Sequence, residues 1–180
     1  MSMKINLRKT WVLLFCIILV SLPRFNRNQL IFKRPQADME IHTAMVKYYN
    51  TGNIDEIILS KNSIAANWRP LFPFLASLIP FNAITSLSIL GIFSIFISVI
   101  FIKKILNILS LPKSIIYQSL YIFIFSFPVF YYTTIGYVDP GLIMMISIGI
   151  YLTITNQLIL LMITILFGVF MKEGIIVLIP

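Results

Sequence analysis

The chain carries one cysteine, Cys16, and one histidine, His42. A single cysteine excludes a disulfide within the chain and a metal site built on thiolates. A single histidine excludes a multi-histidine metal site. Charge is scarce too: 11% of the 180 residues are charged, where a soluble domain has about 25%. The acids number only six: Asp38, Glu40, Asp55, Glu56, Asp139 and Glu173. No stretch has the form of a phosphate-cradling glycine loop, a nucleophile elbow or a paired-cysteine metal site. Ser60 and Ser63 have no base partner at a recognisable spacing.

What fills the chain instead is apolar. Hydrophobic residues make up 59% of it, and the mean hydropathy is +0.95. That composition places it among multi-spanning membrane proteins. The net charge of +8 is therefore not a nucleic-acid signature. Its Lys and Arg residues flank apolar runs, where they anchor and orient spans.

The hydropathy pattern predicts an all-α, polytopic transmembrane bundle of about five spans in one membrane domain, with an interfacial amphipathic helix and a re-entrant segment. The first apolar run, 10–22, follows a short basic N-terminus. It reads as a signal peptide or as an uncleaved span; the absence of a small-x-small cleavage site favours the span. Residues 24–69 form the only long polar region. Within it Ala37, Ile41, Ala44, Met45 and Tyr48 fall at helical spacing, which predicts an amphipathic helix over 36–50 lying in the interface plane. Residues 70–81 are apolar but short and contain three prolines, which suits a re-entrant segment. A second span is expected over 82–102, stopped by Lys103 and Lys104, and a third over 114–133, kinked at Pro128. Gly136–Gly141 reads as a turn.

From Gly141 to Met171 the apolar run would extend about 45 Å as one helix, against a bilayer core of about 30 Å. Asn156-Gln157 divides it into spans over 140–155 and 158–171, and a sixth apolar run begins at 174–180. The abrupt end at Pro180 reads as that of an N-terminal fragment of a longer protein.

Counting crossings brings all six acids to one face of the membrane. The other face holds Lys4, Arg8, Lys9, Lys103, Lys104 and Lys113 and no acid. Six basic residues lie on that face and eight on the acidic one, but the former are denser per residue of loop. The basic face is therefore taken as cytoplasmic, with the N-terminus inside.

Asp38 and His42 lie one helical turn apart, on one face beside the apolar stripe. Asp38 has two readings: a helix N-cap, or a partly desolvated interfacial carboxylate suited to general-base work. Glu40 fits the first turn of the helix, where it complements the dipole. His42 is either a hydrogen-bonded interfacial residue or a ligand. Asp139 before Pro140 is a turn initiator or a functional acid at the membrane boundary. Arg69 can fork two hydrogen bonds to a phosphate, or simply anchor in headgroups. Glu173 pairs with Lys172 or sits among headgroups, and Asp55 and Glu56 read as solvated loop residues. Tyr131, Tyr132 and Tyr137 are belt aromatics or line a sugar site.

The order of these features is Ala37-Asp38-Met39-Glu40-Ile41-His42, then Tyr48-Tyr49-Asn50-Thr51-Gly52-Asn53-Ile54-Asp55, then Arg69-Pro70-Leu71-Phe72-Pro73-Phe74-Leu75-Ala76. Tyr137-Val138-Asp139-Pro140 and Met171-Lys172-Glu173 follow. This order resembles the N-terminal half of the GT-C glycosyltransferases, the superfamily of protein O-mannosyltransferases and bacterial lipid A aminoarabinose transferases. The resemblance lies in order and spacing, since each motif is short and degenerate.

It implies transfer of a sugar from a polyprenyl-phosphate donor to a glycan, lipid or protein acceptor on the outer face. Asp38 would orient or deprotonate the acceptor, directly or through a divalent metal held with Asp139. Arg69 and Lys172 would neutralise the departing phosphate, and Glu173, Glu40 and His42 complete the expected substrate-binding set. Members of the superfamily have roughly twice as many spans as this chain. The rival readings are a non-enzymatic transporter, flippase or channel segment, an O-antigen polymerase or ligase, and an inactive remnant.

Overall fold

The computed structural model describes residues 7–26, 37–55, 69–134, 137–172 and 175, and for residues 7–10, 26, 37 and 38 it describes the backbone alone. Helix accounts for 82% of the described residues, and no strand occurs among them. In chain order the helices are α1 (Leu7–Asn26), α2 (Ala37–Thr51), α3 (Leu71–Ser77), α4 (Ala83–Ile108), α5 (Lys113–Ile124), α6 (Phe127–Tyr132), α7 (Asp139–Ile154) and α8 (Leu158–Met171).

Local chemistry explains most of the boundaries. Gly52 stops α2: its φ of 70° is cheap only for glycine, and its N–H donates to the Tyr48 carbonyl at 2.8 Å. Asn82 caps α4, its side chain accepting from the Thr85 N–H at 2.9 Å. Asn156 turns the chain between α7 and α8 with a φ of 55°, a conformation asparagine tolerates better than most residues.

Four local expectations are corrected. Lys103 and Lys104 do not stop α4, which continues to Ile108, because lysine is a good helix former. The helix ends instead where Ser110 turns left-handed, two residues before Pro112. Pro128 does not kink one long helix. It lacks an N–H for the Ile124 carbonyl and its ring would crowd that group, so α5 ends at Ile124 and Pro128 lies in the first turn of α6. Asp139, Pro140 and Gly141 are not turn residues: they form the first turn of α7. Finally, the buried stripe of α2 is wider than its apolar spacing predicts: His42 and Thr43 are buried with their apolar neighbours, while Glu40, Lys47, Asn50 and Thr51 stay exposed. The helix packs on α3 and α4.

At the centre is α4, which touches α1, α2, α3, α5 and α7, most extensively α7. The buried positions of the two helices include small residues, Gly91, Ser94 and Ser98 on α4 and Ser147 and Gly149 on α7, which let neighbouring backbones approach closely. Gly91 lies against the Thr133 carbonyl so tightly that an added Cβ would overlap it. Two cores result. One joins Leu13, Ile17, Ile95, Val99, Ile116, Leu120, Ile124 and Val129 from α1, α4, α5 and α6. The other joins Val46, Phe72, Ala76, Leu87, Val138 and Met171 at the Asn82 end of α4.

Among the described residues, one helix, α4, is long and apolar enough to cross a membrane; its 26 residues correspond to about 39 Å. The segments Trp11–Phe25, Asp139–Ile154 and Leu158–Met171 are apolar but shorter. Large apolar side chains remain exposed along α8, among them Ile159 at 77% and Met162 at 71%.

Candidate functional site

The second core assembles the chemistry-bearing segments. Val46 comes from α2, the helix that Asp38 opens, and Phe72 from α3, just after Arg69-Pro70. Val138 precedes Asp139, and Met171 precedes Lys172. Segments far apart in sequence therefore meet at one end of the bundle. The closest packing is at Gly141, where a Cβ would overlap the Met171 sulfur and come within 2.8 Å of Phe72. The absence of a side chain there lets α3 and the end of α8 close on the start of α7.

That approach brings Asp139 and Lys172 together. Lys172 Nζ donates to Asp139 Oδ1 at 2.6 Å, with both side chains about a quarter exposed. The carboxylate sits in the first turn of α7, where it complements the positive end of the helix dipole. Lys172 has already left helical geometry, with φ −166° and ψ 136°, which ends α8.

The other expected site residues are distributed as follows. Arg69 is half-buried just before α3, and Glu40 and Asp55 are exposed. His42 is 3% exposed and faces the bundle interior. Asp38 is the second residue of α2, but its side chain, like Glu56, Trp68 and Glu173, lies outside the described residues. Among the described residues no three His, Cys, Asp or Glu side chains gather as metal ligands. Asp139 Oδ1 accepts from Lys172, so a metal ion at this carboxylate would share it with an ammonium group.

Aromatic rings cluster on α6 and at Tyr137. Tyr131 stacks on Phe127 at 5.0 Å, meets Tyr132 edge-on at 5.1 Å, and Tyr132 meets Tyr137 at 5.6 Å. This series leads along the chain to Val138 and Asp139. On the α3 side, Tyr49, Pro70, Leu71, Phe74, Phe167 and Phe170 line an open apolar groove of about 200 Å³. Burial, and to a lesser degree the neighbouring Tyr48, pushes the Tyr49 phenol above its ordinary pKa of 10.0.

The opposite end of α4 is different in character. Lys104 Nζ lies 5.1 Å from the Tyr151 ring and 4.7 Å from Phe101, and Lys103 Nζ lies 5.4 Å from Tyr117. Along α4, Leu87 and Lys104 are about 25 Å apart. The bundle thus has one end with an acid–base pair and another with cations over aromatic rings.

Arg24, one of the eight basic residues assigned to the acidic face, carries no sequence signal that sets it apart. This residue is buried in the last turn of α1, with its guanidinium carbon 4.7 Å from the Tyr131 ring centroid. Compared with protein-family models, with curated proteins and with solved structures, the chain matches none.

Proposed function

We propose that this chain is the membrane-embedded part of a GT-C-type glycosyltransferase, with about five spans and its acidic end outside. It takes a sugar from a polyprenyl-phosphate donor and passes it to an acceptor at the outer boundary. One observation carries the reading: the α2 segment, the Arg69-Pro70 segment, Val138-Asp139 and Met171-Lys172 all feed one core at one end of the bundle. A transferase of this class needs an acid for the acceptor and cations for the departing phosphate within one site. Phosphate is already a competent leaving group, so positioning and charge stabilisation carry most of the catalysis.

In this reading Asp38 orients or deprotonates the acceptor, while Lys172 and Arg69 meet the donor phosphate. Lys172 is held by Asp139 until the anionic donor competes for it. The exposed apolar residues of α8 face lipid. The test is sugar transfer in membranes that contain the full chain, with a radiolabelled polyprenyl-phosphate sugar supplied as donor. Asp38→Asn should abolish transfer while leaving the amount of membrane-inserted protein unchanged. Undiminished transfer by Asp38→Asn would sink the assignment.

The Asp139–Lys172 pair also favours a second reading, a non-enzymatic transporter or flippase segment. An ion pair between two helices of a bundle can open and re-form as a substrate passes. That reading expects ligand movement across vesicles without any sugar transfer.

A further inference from the structure

Arg24 is 8% exposed and its Nε has no hydrogen-bond partner. Ser21, one turn earlier on α1, is 1% exposed and its Oγ also has no partner. Residues three apart on a helix share a face, so both groups lie on one side of α1. No carboxylate among the described residues pairs with Arg24. A guanidinium does not shed its proton to escape burial. A buried, unpaired cation is therefore strongly disfavoured unless something neutralises it.

Tyr131 supplies part of the compensation. The guanidinium lies 4.7 Å from its ring centroid, within cation–π range. Phe127 and Tyr132 pack on the same ring at 5.0 and 5.1 Å, so it forms a fixed shelf. A ring below the guanidinium offers no acceptor in its plane, and Nε has none. The edge formed by Nε and a terminal nitrogen is a fork that matches two oxygens of an oxyanion. A planar carboxylate is satisfied by that fork alone. A tetrahedral phosphate has further oxygens, and the Ser21 hydroxyl, on the same face of α1, is an unused donor for one of them.

We infer that Arg24 and Ser21, over the Tyr131 shelf, form a phosphate-binding site distinct from the Asp139–Lys172 pair. Its occupant is either the headgroup of an anionic lipid or a free phosphate group. The lipid source rests on the membrane reading above; the phosphate chemistry does not.

The experiment uses the full chain in detergent micelles, titrated with dioctanoyl phosphatidic acid and, separately, with inorganic phosphate, and followed by phosphorus NMR line broadening. Arg24→Gln should weaken binding about tenfold or more. Arg24→Lys, which keeps the charge but loses the fork, should fall between Arg24→Gln and the unaltered chain, and Ser21→Ala should weaken binding by a smaller factor. Tyr131→Phe keeps the ring and should bind normally. The loss caused by Arg24→Gln should persist when Asp139→Asn and Lys172→Gln are also present, so failure of the transferase reading leaves this result intact. If inorganic phosphate displaces the lipid, the phosphate group suffices and a free phosphate is a competent source; if it does not, the site takes a lipid headgroup. Two outcomes overturn the inference: no broadening of either probe by the unaltered chain, or unaltered binding by both Arg24 variants with helical circular dichroism retained.

Discussion

Lys172 Nζ and Asp139 Oδ1 lie 2.6 Å apart, joining the residue that ends α8 to the residue that opens α7. The two are distant in sequence, and the apolar run between them doubles back at Asn156-Gln157. The pair fastens the open end of that hairpin. At about a quarter exposure it is neither a surface contact worth almost nothing nor a fully buried pair.

Removing either partner is therefore expected to destabilise the chain by about 1 kcal/mol. Lys172→Ala and Asp139→Asn should each lower the thermal midpoint in detergent by a few degrees, and the double variant should lose less than the sum. A strictly additive double-mutant cycle would show that the pair contributes no coupling.

The two close glycine contacts should respond differently to a methyl group. At Gly91 the obstacle is the Thr133 backbone carbonyl, which cannot move without shifting the chain after α6. At Gly141 the nearest obstacle is the Met171 side chain, with Phe72 behind it. Gly91→Ala is expected to cost about 1–3 kcal/mol. Gly141→Ala should cost less when combined with Met171→Ala, and no such rescue is available at Gly91. Thermal denaturation of the four variants decides this.

Tyr49 gives a pH prediction. Burial is the main reason its folded pKa is raised above 10.0. The folded chain therefore resists ionisation more than the unfolded chain does. The resulting stability is complete below the unfolded pKa and declines as pH rises through the folded one. Alkaline titration of phenolate absorbance should show one late-ionising tyrosine that is missing in Tyr49→Phe. That variant should also lose less stability above about pH 10. Identical alkaline stability curves for the two proteins would reject the assignment.

Much of the helix pattern was legible because it depends on local chemistry. The division at Asn156-Gln157, the stop at Asn50–Asn53 and the helix over 36–50 all follow from turn residues and apolar spacing. The misread boundaries, at Lys103-Lys104 and Pro128, came from treating charge or proline as a signal on its own. Lysine supports a helix, and proline acts four residues upstream, at Ile124. The candidate site was legible only as a set of separate residues. Nothing in the spacing of Asp139 and Lys172 tells whether they meet. Arg24 looked like any basic residue flanking an apolar run until its cover was known.

Composition determined that the chain is mostly apolar, and the length of its apolar runs favoured helices, which satisfy their backbone groups within one segment. Turn residues determined where most helices end. Tertiary structure decided what the charges do. Gly141 lets Met171 and Phe72 close on α7, and that approach sets Lys172 against Asp139. Packing of α6 on α1 lays Tyr131 beneath Arg24. Pairing and burial are relations between distant segments, and their energies depend on distance and solvent exclusion, which a linear order of residues does not contain.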